Sequence, residues 1–87
     1  MSAKRLPQTT AHVRVTQQSW PQGKIAGEVQ AASYEWQFEW SFRQGYLNVE
    51  PSLGRALILE PLGRFLERWD YRLEAGSNYE FTVRGEI

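Results

Sequence analysis

The side chains able to do acid–base or nucleophilic chemistry are few, and their spacing suits none of the usual reactions. His12 is the only histidine among 87 residues. It sits one position before Val13 in an alternating run, with no second histidine to share a metal and no acid beside it in sequence. Ser19, Ser33, Ser41, Ser52 and Ser77 fall at turns, in strands or at a helix start, and none lies in a Gly-x-Ser-x-Gly elbow. Ser52 reads as a helix cap. Glu35 and Glu39 share one face of an extended segment, but four strand residues span about 13 Å. That exceeds the roughly 5–9.5 Å required of paired carboxylates in glycoside chemistry. Glu28 on a neighbouring strand comes nearer, yet an open sheet face excludes no water and raises no acid's pKa. Gly54 and Gly63 fit no dinucleotide or phosphate-loop pattern. Cysteine is absent, which removes disulfides, thiolate nucleophiles and Cys-based zinc sites. The residues therefore predict no enzyme, no catalytic group, no cofactor and no metal.

The elements that would position these groups are legible from periodicity. Tyr34, Trp36, Phe38, Trp40 and Phe42 alternate without exception with Glu35, Gln37, Glu39, Ser41 and Arg43. Helical geometry would scatter these rings around the circumference, whereas a strand puts all five on one face and turns Glu35, Gln37, Glu39 and Ser41 to solvent. Two strands precede it: one from Thr9 to Gln18 around Val13 and Val15, and one from Ile25 to about Ser33, with Gly27 marking a bulge or a close backbone approach. Gln44-Gly45 then turns the chain into a fourth strand, Tyr46 to Glu50.

After Pro51 the period changes. Ile58, Leu62, Phe65, Leu66 and Trp69 recur at helical spacing straight through Pro61, which predicts helix between Ser52 and Trp69 either kinked at Glu60-Pro61 or split into two helices sharing a phase, with Pro61 at the first position of the second. Asp70 to Glu74 and Tyr79 to Arg84 alternate again around the turn formers Ala75-Gly76-Ser77-Asn78, predicting a closing hairpin. The expected fold is α+β, an antiparallel sheet of about six strands (four strands, a kinked helix, two strands) with one helix on its apolar face. Residues 1–8 read as a flexible N-terminal end and 9–87 as a single domain.

Composition narrows the partners. The chain is 41% hydrophobic and 23% charged, so it is too apolar for a disordered tail, and no run approaches the roughly 18 apolar residues of a membrane span. Ten basic residues balance ten acidic ones, and arginines 14, 43, 72 and 84 are expected on the same polar face as Glu28, Glu35, Glu39, Asp70, Glu74 and Glu80. A sign-mixed face argues against nucleic acid even though aromatic rings on a sheet can stack bases. Six strands at about 4.8 Å spacing make a sheet roughly 25–30 Å wide, and one helix covers about 10–12 Å of it. The remaining apolar surface needs curling, a partner or a ligand. Trp36, Trp40, Arg64, Arg68 and Trp69 form the candidate interaction surface, since arginine and aromatic side chains recur at interface anchors. The expected function is a non-catalytic protein-interaction module serving a larger assembly, with an unidentified protein partner or a homodimer. The alternative is a binder of a small apolar or aromatic ligand in the sheet–helix cleft.

The stretches Leu6-Pro7-Gln8-Thr9-Thr10, Tyr34-Glu35-Trp36-Gln37-Phe38, Pro51-Ser52-Leu53-Gly54-Arg55-Ala56-Leu57, Glu60-Pro61-Leu62-Gly63-Arg64-Phe65-Leu66-Glu67 and Phe81-Thr82-Val83-Arg84 together resemble a small cyanobacterial family of uncharacterised proteins. The resemblance implies a stand-alone cytoplasmic protein of a photosynthetic bacterium. It brings no activity and no site motif with it.

Overall fold

The computed structural model describes residues 8–69 and 72–84, the Arg84 side chain excepted. Five strands, β1 (Gln8–Ser19), β2 (Lys24–Ala31), β3 (Tyr34–Ser41), β4 (Tyr46–Glu50) and β5 (Asn78–Arg84), form one antiparallel sheet in the order β4-β3-β2-β1-β5. A 3-10 turn (Arg55–Leu57) and the helix α1 (Leu59–Trp69) lie between β4 and β5. Burial alternates along the strands as the side-chain period of two requires: Ala11, Val13 and Val15 on β1, Ile25, Val29 and Ala31 on β2, and Trp36, Phe38 and Trp40 on β3 face the core. Register carries this across the sheet, with Val13 beside Val29, Val29 beside Trp36, and Phe38 beside Val49.

The alternation fails at one end of β3. Ser41, expected at the surface, is fully buried, and its Oγ accepts a hydrogen bond from the Gln44 amide at 3.2 Å. The strand stops there because the 41–45 turn folds under its own end. Phe42 donates its amide to Gly23 and sets its ring 5.4 Å from Trp20.

The sheet has five strands, not six. Arg72 to Glu74 form no strand, and Asp70 and Tyr71 lie outside the described residues, as do residues 1–7 of the expected N-terminal end. Gln8, counted with that end, pairs with Arg84. Helical carbonyls and β1 take the place of a sixth ladder. Arg72 donates to the carbonyls of Arg68 and Trp69 at the end of α1, and Leu73 is fully buried in the core. Gly76 then donates to the Val15 carbonyl at 2.7 Å, and the Val15 amide donates to Ser77 at 3.1 Å. These bonds meet β1 at its bulge between Val15 and Gln17, so the returning chain joins the edge of β1 directly and continues as β5.

The helix does not kink at Pro61, and the alternative of two helical pieces is the nearer one, a 3-10 turn at Arg55–Leu57 followed by α1. Pro61 falls in the first turn of α1, where backbone amides have no partner within the helix and a missing N–H costs nothing. The chain before it is held from outside. Trp36 Nε1 donates to the Leu53 carbonyl at 2.9 Å, Arg55 donates to the Val49 carbonyl at 3.1 Å, and Gly54 adopts φ 72 against the Tyr34 ring. These anchors draw the 51–58 segment over the β3–β4 side of the sheet, while α1 leans toward β5.

Two indole groups in this core differ in one respect that stability measurements can read. Trp36 Nε1 is bonded and Trp40 Nε1 is buried without a partner among the described residues. Trp36→Phe, which orphans the Leu53 carbonyl, is expected to destabilise the fold by about 1–2 kcal/mol more than Trp40→Phe in denaturant unfolding. Gly27→Ala supplies a second check on the β1–β2 pairing, because a Cβ there would stand 2.1 Å from the Arg14 carbonyl oxygen. The strands must part to admit it, with an expected loss of roughly 1–3 kcal/mol.

Candidate functional site

The amphipathic spacing of α1 sorts its side chains into two sets. Leu62 and Leu66 point straight into the core and are fully buried, whereas Phe65, also buried, and half-buried Trp69 turn toward β5. There they meet Tyr79 and Phe81, which alternate onto the same face of the strand. Phe65 lies 5.2 Å from Phe81 in a stacked arrangement and 6.1 Å from both Trp69 and Tyr79, and Trp69 lies 5.1 Å from Tyr79. Spacings in this range are favourable for aromatic rings. Tyr79 also has a polar role, since its hydroxyl oxygen accepts the Glu74 amide at 3.0 Å and so fixes the turn that leads into β5.

A cleft of about 620 Å³ opens between α1 and β5 above this cluster. Its floor is Phe65, Phe81 and Val83, and Leu57, 44% exposed, stands at one end. The rim is charged on both sides. Glu60, Arg64 and Arg68 follow one another at four-residue spacing on the helix, and Glu80 lies on the strand. Glu60 and Arg64 form an ion pair within the helix, while Arg68 has no carboxylate partner among the described residues. At the far end the Arg72 guanidinium lies over the Trp69 ring, 5.2 Å from its centroid.

Of the residues expected at an interaction surface, the structure brings Arg64, Arg68 and Trp69 together around this cleft. Trp36 and Trp40 are elsewhere, buried in the core at 2% and 9% exposure under the 51–58 segment and α1. Phe81, Val83 and Leu57 complete the site. The alternation of β5 placed Phe81 and Val83 on the apolar face, but only the strand order shows that β5 is an edge.

The opposite face of the sheet is polar and more acidic than the sequence suggested. Glu28, Glu35, Glu50 and Glu80 are exposed there and Glu39 is half-buried, whereas Arg14 is the arginine of the expected set that joins them with a described side chain. Arg43 lies in the 41–45 turn and Arg72 folds over Trp69. His12 faces Glu80 across the β1–β5 pair, with Nδ1 3.8 Å from the carboxylate and both side chains exposed. A shallow depression of about 310 Å³ crosses the face beside Glu28, Glu39 and Glu50. Among the described residues no three His, Asp or Glu side chains converge on a point that could hold a metal ion, and no helix is long and apolar enough to cross a membrane.

These features define a small α+β protein, a five-stranded antiparallel sheet with one helix on a single face and an open aromatic cleft at one edge. Residues 7–86 match the model of a family described as protein of unknown function (DUF3146), and the chain belongs to that family. No curated protein and no solved structure matches it.

One titration probes the acidic face. The Tyr46 hydroxyl donates to Glu39 Oε1 at 2.8 Å, and this hydrogen bond, with smaller contributions from desolvation and the carboxylate charge, raises its pKa above the ordinary tyrosine value. Because the folded-state pKa is raised, the contribution to stability is present at neutral pH and is lost as pH climbs through that pKa. Spectrophotometric titration at alkaline pH is expected to show Tyr46 ionising above the ordinary tyrosine value in the native chain and returning toward it in Glu39→Gln.

Proposed function

We propose that this chain is a non-catalytic protein-interaction module serving a larger assembly, and that it meets its partner through the α1–β5 cleft. The observation that carries the reading is a cleft beside the edge strand in which half-buried Phe81 and Trp69 and exposed Leu57 reach the surface over buried Phe65 and Val83. An apolar base rimmed by arginine and glutamate has the composition of a protein interface, in which desolvated rings supply affinity and charges set orientation. An edge strand adds main-chain donors and acceptors that a partner strand can satisfy. On the family resemblance, we place the module in the cytoplasm of a cyanobacterium.

A second reading, a pocket for a small apolar or aromatic ligand, draws on the same cleft, whose volume lies in the range of small-molecule sites. Trp36 and Trp40 do not line this cleft, and it is open along its charged rim. That geometry favours the protein partner.

A photo-cross-linking residue at position 64, compared with the same residue at Gln30 on the polar face, tests the assignment in native cells. Cross-linked partner is expected from position 64 and not from position 30; capture from position 30 alone would move the interface to the acidic face. Quenching of tryptophan fluorescence by an aromatic compound, abolished in Trp69→Ala, would instead favour the ligand reading.

A further inference from the structure

We infer that the partner at this surface is a second copy of the chain, joined by antiparallel pairing of β5 with its own twofold mate; this rests on the reading of the α1–β5 side as the interaction surface. The sheet ends at β5, and among the described residues no backbone hydrogen bond reaches its outer edge. The opposite edge is better guarded, since Arg55 donates to the Val49 carbonyl of β4. β5 contains no proline, no lysine and no bulge, the usual devices that keep a sheet edge from pairing.

The alternation of β5 fixes the register such a pair could take. Directly opposed residues share a face, so apolar Tyr79, Phe81 and Val83 must meet one another. A twofold axis at Glu80 would set two carboxylates opposite each other, which is unfavourable. An axis at Phe81, the centre of the strand, gives the fullest overlap. Phe81 then faces its own copy, Tyr79 faces Val83, and Glu80 faces Thr82.

The helix rim is complementary about the same axis. Phe65 stacks on Phe81, so the axis passes beside Arg64 and Phe65. Glu60 and Arg68 lie four residues to either side of Arg64. Antiparallel helices related by this axis bring Glu60 of one copy opposite Arg68 of the other, twice, flanking two facing Arg64 side chains that are each ion-paired with the Glu60 of their own chain, and give Arg68 a carboxylate that no described residue of its own chain supplies. The formal net charge of zero leaves no overall repulsion to oppose the pairing.

The test uses the full chain, which is free of cysteine. Sedimentation equilibrium is expected to show a monomer–dimer equilibrium. Arg68→Glu, at an exposed site, should weaken it roughly ten-fold, and the charge swap Glu60→Arg with Arg68→Glu should restore it. Oxidation of the double variant Glu80→Cys with Thr82→Cys should yield a covalent dimer, while either single variant should not. A chain that stays monomeric throughout, or a dimer that gives no cross-link from the double variant, overturns the twofold pairing. If the chain is monomeric but position 64 still captures a foreign protein, the twofold pairing fails and the interaction module stands. If neither occurs, both fail.

Discussion

A sheet of five strands is roughly 19–24 Å wide, and its apolar face must be dried by a single helix about 10–12 Å across. Nearly every other feature follows from how this shortfall is met. The strand that makes it acute is β3, whose Trp36, Phe38 and Trp40 put more ring area on one face than α1 can cover. Segment 51–58 supplies the missing cover, held there by the Trp36 indole on the Leu53 carbonyl and by Arg55 on Val49. A loop thus does the work of a second helix. Its cost is that Leu53 stands 73% exposed on the outside of the turn.

Covering β3 and β4 in this way releases α1 to lean toward β5, which gives the molecule its asymmetry. The helix shields Tyr79 and Phe81 only in part, because no further layer lies beyond β5 among the described residues. The cleft is therefore what remains when one helix and one loop share a five-stranded sheet. Its aromatic floor is continuous with the core, so a partner seated there would extend the core and not merely touch the surface. The two faces of the sheet have separate characters: one is apolar and packs under α1 and the 51–58 segment, and the other carries glutamates that keep it hydrated.

The chemistry of the chain is consistent with this division. Its histidine faces a solvated carboxylate, and the glutamates of the polar face are spread along strands at intervals set by the pleat. Tyr46 and Glu39 meet because β3 and β4 pair in register across one hairpin, a coupling that alters an ionisation without enclosing a site. Trp40 is the exception, a buried donor with no acceptor among the described residues. The strand period determines which face it occupies and leaves the ring nitrogen to whatever the core offers.

The sequence by itself determined what depends on local periodicity. The alternation from Tyr34 to Trp40 put those rings inward, the spacing of Ile58, Leu62, Phe65 and Leu66 made a helix face, and Gly27 marked a close backbone approach. The failures share a cause. Asp70 to Glu74 alternate like a strand, but a strand needs a neighbour, and the carbonyls of α1 and the bulge on β1 hold the described part of that segment instead. Pro61 left a kink and a fresh helix start both open, and the start at Leu59, which places Pro61 where its missing amide is harmless, is decided by the anchors that hold the preceding segment outside the helix. Trp36 and Trp40 looked available for contact because burial by a distant loop leaves no trace in period two. Tertiary structure alone decided that β5 forms an edge beside α1, since strand order is set by which surfaces dry each other and not by order along the chain.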